Sequence, residues 1–261
     1  MTPVESTTQF TAEVISNEPV IRDANVLWVD APNLASKARP GQFAMLLCGD
    51  STYLRRPLSI HRINDVKTRV AFLYGIVGKG TAWLSGVRAG STLDLIAPLG
   101  NGFSVDGRGP ATLVAGGLGI APLVFLADEL RKSGRDTTLL YGASTSDLLC
   151  QVYSAASDNT VLVTEDGTRG RKGLVTVCLP EFLKGNPEIF ACGPASMLRA
   201  LACMKELSTL KTQLSLEIRM ACGLGVCYGC SVNTLRGMEQ VCKHGPVFYL
   251  RDILWDGFVG I

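Results

Sequence analysis

The chain has 261 residues, 47% hydrophobic and 18% charged, with 25 basic against 23 acidic side chains and a net charge of +2. That length suits two domains and that composition can bury large cores, which excludes a disordered or fibrous chain. A mixed-sign surface so close to neutral gives no field to make nucleic acid or an anionic membrane the main partner.

Met1 to Phe10 hold Glu5, no basic residue and no apolar segment, so no secretory signal is read there. A reducing cytoplasm is then the expected compartment, and the nine cysteines need a use other than disulfides. The N-terminal part reads as short strands at Glu13–Ser16, Ala24–Val29, Phe43–Leu47, Arg69–Val77 and Thr92–Ile96. Pro32-Asn33, Pro40-Gly41, Gly49-Asp50 and Gly90 separate them. No long helix pattern intervenes, which predicts an antiparallel β-barrel. Within it, Arg56-Pro57-Leu58-Ser59 follows an extended run; Arg56 can neutralise a diphosphate and Ser59 can hydrogen-bond a ring edge. Gly78-Lys79-Gly80-Thr81 can offer a nest of N–H groups. Each also reads as an ordinary surface arginine or turn.

Gly109 to Ala127 carries no charge, as a membrane span would, but Pro110, Pro122 and four glycines break it into a buried strand, a turn and a helix. From there the rhythm is strand, glycine turn, helix, strand. It runs through Thr112–Ala115, Pro122–Lys132, Thr137–Tyr141, Val161–Thr164, Glu188–Ala191 and a helix opening at Pro194. Such alternation predicts an open parallel sheet with helices on both faces. Gly116-Gly117-Leu118-Gly119 and Ala191-Cys192-Gly193-Pro194 both end a strand and open a helix, where backbone N–H groups can hold a nucleotide phosphate.

The tail from about Glu217 is rich in Cys and Gly and shows little periodicity. It holds Cys222-x4-Cys227-x2-Cys230-x11-Cys242, the plant-type ferredoxin spacing for a [2Fe-2S] cluster, with Gly223, Gly225 and Gly229 permitting close N–H approach to sulfur. A structural zinc, with Cys242-x-His244 as a poor second half, and unligated core cysteines are the competing readings. Cys48, Cys150, Cys178 and Cys203 read as small buried apolar residues; His61 reads as a structural barrel residue, and His244 as a residue that supports Cys242 or lies on the surface.

Taken together, these pieces resemble the ferredoxin–NADP reductase-like superfamily. Within it they are similar to the electron-transfer subunits of the NAD-dependent, heteromeric (class 1B) dihydroorotate dehydrogenases of bacteria. The resemblance rests on Pro40–Phe43, Arg55–Ile60, Pro98–Phe103, Gly116–Pro122, Glu165–Gly167 with Gly170 and Gly173, and Glu217–Cys230. Its most specific piece is Val241-Cys242-Lys243-His244-Gly245-Pro246-Val247-Phe248.

The resemblance implies three domains. Residues 1–105 would form an FAD-binding barrel, 106–212 an NAD-binding α/β domain and 213–261 a [2Fe-2S] module. It implies that Arg56, Pro57, Leu58 and Ser59 hold FAD, with Ile76, Gly78, Gly80 and Thr81 beside the pyrophosphate or flavin. Gly116, Gly117, Gly119, Cys192, Gly193 and Pro194 would border NAD, and Cys222, Cys227, Cys230 and Cys242 would ligate the cluster. Leu58 stands where many relatives have an aromatic residue, Gly75 follows Tyr74 where they often carry a basic one, and Ala143-Ser144 lacks the arginine expected for NADPH.

A flavin is the natural converter between the two-electron nicotinamide and a one-electron cluster. The implied partner is an FMN-containing catalytic subunit that oxidises dihydroorotate in pyrimidine biosynthesis, in a heterotetramer of two of each. Arg219, Met220 and the aromatic tail Val247–Ile261 are candidate contacts with it; the tail equally reads as packed on its own barrel. No nucleophile–base pair is present, so dihydroorotate chemistry falls to the partner. The alternatives are the small subunit of a ferredoxin-dependent NADH:NADP transhydrogenase or related reductase, and a zinc-stapled interaction module.

Overall fold

Strand-forming residues placed at every second position predict sheets with one buried face, and the structure closes the first set into a barrel. A computed structural model describes residues 7–50, 52–152, 157, 159–258 and 260. Six antiparallel strands, β1 (Thr8–Ile21), β2 (Ala24–Asp30), β3 (Phe43–Leu46), β4 (Arg56–Ile63), β5 (Arg69–Gly75) and β6 (Thr92–Leu99), close in the order β1-β2-β5-β4-β3-β6. Val14, Leu27, Ala44, Leu46, Ile60, Phe72 and Leu95 fill the interior. Strand β4 was not anticipated. Pro57 argues against a central strand because it lacks a donor, yet β4 pairs with both β3 and β5.

The second set forms a seven-stranded sheet. Its strands are β7 (Ala111–Gly116), β8 (Thr137–Ala143), β9 (Asn159–Thr164), β10 (Arg171–Lys172), β11 (Glu188–Cys192), β12 (Thr212–Ser215) and β15 (Val247–Tyr249), in the order β10-β9-β8-β7-β11-β12-β15. All pairs are parallel except the last, where β15 from the tail adds antiparallel to β12. The helix Ile120–Lys132 bridges the two units. Its Phe125 joins the barrel core, its Ala121 carbonyl lies 2.9 Å from His61 Nδ1, and its Asp128 pairs with Arg62 at 3.0 Å. No helix among the described residues is long and apolar enough to cross a membrane.

The tail does have a core. Strands β13 (Ser231–Thr234) and β14 (Gly237–Gln240) form a hairpin. Cys230, Val241, Cys242, Phe248, Ile253 and Phe258 share one apolar cluster with Leu198, Leu214 and Met45. The aromatic tail therefore packs on both units, through β15 on the central sheet and through the shared cluster on Phe43, Met45 and Leu99 of the barrel; Val259 and Ile261 lie outside the described residues. Met220 packs partly buried on this core, while Arg219 is exposed.

The Pro98–Phe103 motif fastens barrel to tail. Asn101 N donates to the Gly245 carbonyl at 2.6 Å, Asn101 Nδ2 to the His244 carbonyl at 3.0 Å, and Gln42 Nε2 to the Gly100 carbonyl at 2.9 Å. Gly100 has φ +73°, and a Cβ there would meet Pro246 Cδ at 2.6 Å.

Candidate functional site

Parallel strands end on one edge of a sheet, and the turns leaving that edge are where N–H groups stand free. At that edge lies a cavity of about 240 Å³. Gly116 and Gly117 line it from the first turn and Pro194 from the second; Gly142, Ser144 and Glu165 complete it from the ends of β8 and β9. Gly117 has φ +53° with open space where a side chain would stand, the backbone exposure a phosphate needs. Gly119, Cys192 and Gly193 do not line the cavity. A Cβ on Gly119 would fall 2.2 Å from the Cys192 carbonyl oxygen, and one on Gly193 3.1 Å from Gly116 Cα, so these residues let the two turns touch. Glu165 and Ser144 are joined by a 3.3 Å hydrogen bond donated by the serine. The sequence pointed to Ala143-Ser144 only for a missing arginine and to Glu165 only as part of a family motif, and named neither Ser144 nor Glu165 as a binding residue; their places at strand ends were the further signal.

Cys192 is buried, with Sγ 4.0 Å from Glu217 Oε1. Burial first, and the Glu217 carboxylate second, push its thiol well above the ordinary range. It is a neutral thiol here, not a nucleophile. Glu217 is exposed, yet desolvation by its neighbours raises its carboxyl. His61 is a buried structural group. Burial brings it down to about 4, against the Ala121 hydrogen bond, so the ring is neutral and donates from Nδ1.

On the barrel, Arg55 and Arg56 have separate fates. Arg55 pairs with Asp94 at 2.8 Å. Arg56 forms no ion pair among the described residues, and its guanidinium lies over Gly80, where a Cβ would meet Nε at 2.6 Å. Gly78 to Thr81 is not a free nest but the start of the helix Lys79–Ser85, capped by Thr81 Oγ1, which accepts from Val77 N at 3.0 Å and Gly78 N at 3.2 Å. Arg56, held by a hydrogen bond to the Leu54 carbonyl and free of any ion pair among the described residues, lies over Gly80 next to exposed Gly78, a donor set suited to a diphosphate. Ser59 and Pro57 are half-buried on β4, directly opposite Phe43 and Met45 of β3; Leu58 is buried and Ile76 half-buried.

The four tail cysteines come together two and two. The Cys222 thiol feels Cys227 beside it and the Cys242 thiol feels Cys230, and Cys222 also acts on Cys242, so the pairs lie near each other. Leu224 N donates to Cys222 Sγ at 3.4 Å, Gly225 N to Cys242 Sγ at 3.1 Å and Cys242 N to Cys230 Sγ at 3.5 Å. Gly223 and Gly225 have φ of +71° and +76°. Desolvation pushes Cys222 up, but the N–H groups of Leu224, Cys227 and Val226 outweigh it and bring the thiol down to about 6. Desolvation and the Cys230 contact push Cys242 to about 12.

Among the described residues no three His, Cys, Asp or Glu side chains converge on one ion. Two thiol pairs with N–H groups aimed at sulfur fit a two-iron cluster, two ligands to each iron. They suit one tetrahedral zinc less well, because His244 Nδ1 already accepts from Gln240 N at 3.1 Å. Cys230 and Cys242 are buried, whereas Cys227 is exposed among exposed Leu224, Val226 and Tyr228.

Residues 217–254 match the family described as the iron-sulfur cluster binding domain of dihydroorotate dehydrogenase B. Over nearly its whole length the chain is similar to the dihydroorotate dehydrogenase B (NAD(+)) electron transfer subunit of Caldanaerobacter subterraneus subsp. tengcongensis, at 34% identity over 94% of this chain and 98% of that one. The same subunit of Desulforamulus reducens is 34% identical over 95% and 98%. Among solved structures, the NADH-dependent reduced ferredoxin-NADP oxidoreductase described for flavin-based electron bifurcation superposes with TM-score 0.86 at 29% identity, over 94% of this chain and 90% of that one. The ferredoxin reductase in carbazole 1,9a-dioxygenase superposes with TM-score 0.65 at 21% identity, over 76% of this chain and 65% of that one, a likeness of fold alone.

Proposed function

The chain belongs to the family of dihydroorotate dehydrogenase B (NAD(+)) electron transfer subunits, and on that premise we propose that it carries electrons between NAD and a separate catalytic subunit through FAD and a [2Fe-2S] cluster. The observation that carries the reading is the two-and-two thiol set, packed against the barrel strand that pairs with Arg56–Ser59. When bound, FAD supplies the conversion between the hydride chemistry of nicotinamide and the one-electron chemistry of the iron pair.

The chain's own residues bind and orient. Arg56 and the Gly78, Gly80 and Thr81 helix start hold the FAD diphosphate, while Pro57, Leu58, Ser59 and Ile76 border its ring. Gly116, Gly117 and Pro194 cradle the nicotinamide nucleotide, and Gly119, Cys192 and Gly193 set the spacing of the two turns behind it. Glu165 stands at the end of β9 to accept from a ribose 2′-hydroxyl, which favours NADH. Cys222, Cys227, Cys230 and Cys242 ligate the cluster.

The division into 1–105, 106–212 and 213–261 follows these three tasks, with β15 of the last unit lent to the sheet of the second. The partner is an FMN-containing subunit that oxidises dihydroorotate in pyrimidine biosynthesis, in a cytoplasmic heterotetramer of two of each. It docks over exposed Cys227, Leu224, Val226 and Tyr228, with Arg219 alongside; nucleic acid and membrane have no part. The likeness to the NADH-dependent reduced ferredoxin-NADP oxidoreductase supports a second reading, in which the same relay serves a pyridine-nucleotide transhydrogenase.

One experiment separates the two. The chain is co-purified anaerobically with its native partner, assayed for iron, acid-labile sulfide and flavin, reduced with NADH, and tested with orotate and dihydroorotate. Interconversion of those two pyrimidines supports the first reading. Bleaching by NADH without interconversion favours the second, and zinc without visible absorbance overturns both.

A further inference from the structure

Alternate residues of a strand face opposite sides of its sheet, and β3 divides its four residues that way. Ala44 and Leu46 belong to the barrel interior, whereas Phe43 and Met45 face outward into the core shared with Cys230, Val241 and Cys242. Met45 is fully buried and stands directly opposite Pro57 of β4, one strand spacing of about 4.8 Å away. On its other side lies the cluster loop. A Cβ on Gly223 would fall 2.6 Å from Met45 Cγ and 2.8 Å from Sδ, so the backbone next to Cys222 rests on the thioether with no side chain between. Gly223 holds φ +71°, which fixes the loop in that approach.

We propose that Met45 is a positioning residue: its thioether is the spacer that sets how closely the cluster loop approaches the flavin strand, and hence how fast electrons cross from barrel to cluster. This rests on the functional reading above. The balance is simple. NADH delivers two electrons and a proton to FAD as hydride, giving the reduced anion. Two successive one-electron passages then reoxidise it, each turning one ferric iron ferrous before the partner removes the electron, and one proton is released to solvent. Methionine suits the place because its unbranched, soft side chain fills an irregular gap between a strand and a loop of unequal curvature.

The test uses the complex with its catalytic partner, carrying Met45→Ala, Met45→Val or Met45→Leu, with FAD, iron and sulfide quantified. Stopped-flow NADH reduction separates flavin bleaching from cluster bleaching. Amide hydrogen exchange over residues 222–225 and the cluster reduction potential are read beside it. The expected result is that Ala or Val leaves cofactor content, potential and flavin phase unchanged, slows the cluster phase several-fold and raises exchange at Gly223, while Leu restores both. A cluster phase at the wild-type rate in a loaded Ala or Val variant overturns the proposal, and so does loss of iron from both, which would make Met45 a plain core residue. A wild-type complex whose cluster NADH never bleaches would instead overturn the functional reading beneath it.

Discussion

Gly119 and Cys192 meet backbone to backbone: a Cβ on Gly119 would fall 2.2 Å from the Cys192 carbonyl oxygen and 2.4 Å from its carbon. The two glycine turns therefore lean on each other, and backbone atoms cannot swing aside as a flexible side chain can. Gly119→Ala should lower stability by about 1–3 kcal/mol, the cost of overpacking, and weaken NADH binding by opening the turns. Gly117→Ala, which meets nothing within 4 Å but keeps φ +53°, should cost about 1–2 kcal/mol from backbone strain alone. Thermal melts and NADH titrations of both variants check this; wild-type NADH affinity in Gly119→Ala would mean that the contact between the turns is unimportant.

Arg55 and Arg56 are neighbours with different expected phenotypes. Arg55 is committed to Asp94, and its hydrogen bond holds that carboxyl below the ordinary range. Arg56 has no carboxylate partner among the described residues and lies over Gly80 at the start of the helix Lys79–Ser85. Arg56→Ala should leave gel filtration with a much lower FAD-to-protein ratio, because a charge-assisted diphosphate contact is lost. Arg56→Lys should retain part of it, since a point charge cannot make the paired contacts of a guanidinium. Arg55→Ala should lower the melting temperature but keep FAD.

Local chemistry explains which parts were legible in the sequence. Cys222, Cys227 and Cys230 lie close along the chain, so spacing alone shows the thiol set. The glycine turns carry strand and helix patterns on either side. Strand β4 was hidden because Pro57 reads as a breaker, and its pairing with β3 and β5 comes from barrel closure. Strand β15 was hidden because three residues hold no period and its partner β12 lies more than thirty residues earlier in the chain. Met45 looks like any core methionine until Gly223 is seen against it.

Glu165 should govern the choice of nucleotide. It lines the cavity at the end of β9 and accepts a hydrogen bond from Ser144 Oγ, and the chain carries Ala143-Ser144 where an arginine would favour a 2′-phosphate. A phosphate brought there meets a carboxylate, a repulsion of about 1–4 kcal/mol for each charge at close range. Glu165→Gln keeps the shape and the Ser144 acceptor. It should raise the NADPH-to-NADH ratio of kcat/KM by about tenfold, or roughly 1.4 kcal/mol. An unchanged ratio would place the ribose elsewhere in the cavity.

His61 should make the fold sensitive to acid. In the unfolded chain its imidazole titrates near 6.5; in the fold, burial lowers it to about 4. Between those values the unfolded chain holds the extra proton, so stability rises with pH across that window. The contribution is fully present above about pH 6.5 and is lost as pH falls toward 4, up to about 3 kcal/mol. The proton that must be accommodated would sit between the barrel and the helix Ile120–Lys132, beside Arg62, whose charge also opposes it. His61→Gln removes the titration and should cost about 1 kcal/mol at pH 7.5 through a weakened bond to Ala121. It should also flatten the fall in melting temperature between pH 6.5 and 4.5. Parallel pH profiles for wild type and variant would show that acid opens the protein somewhere other than this joint.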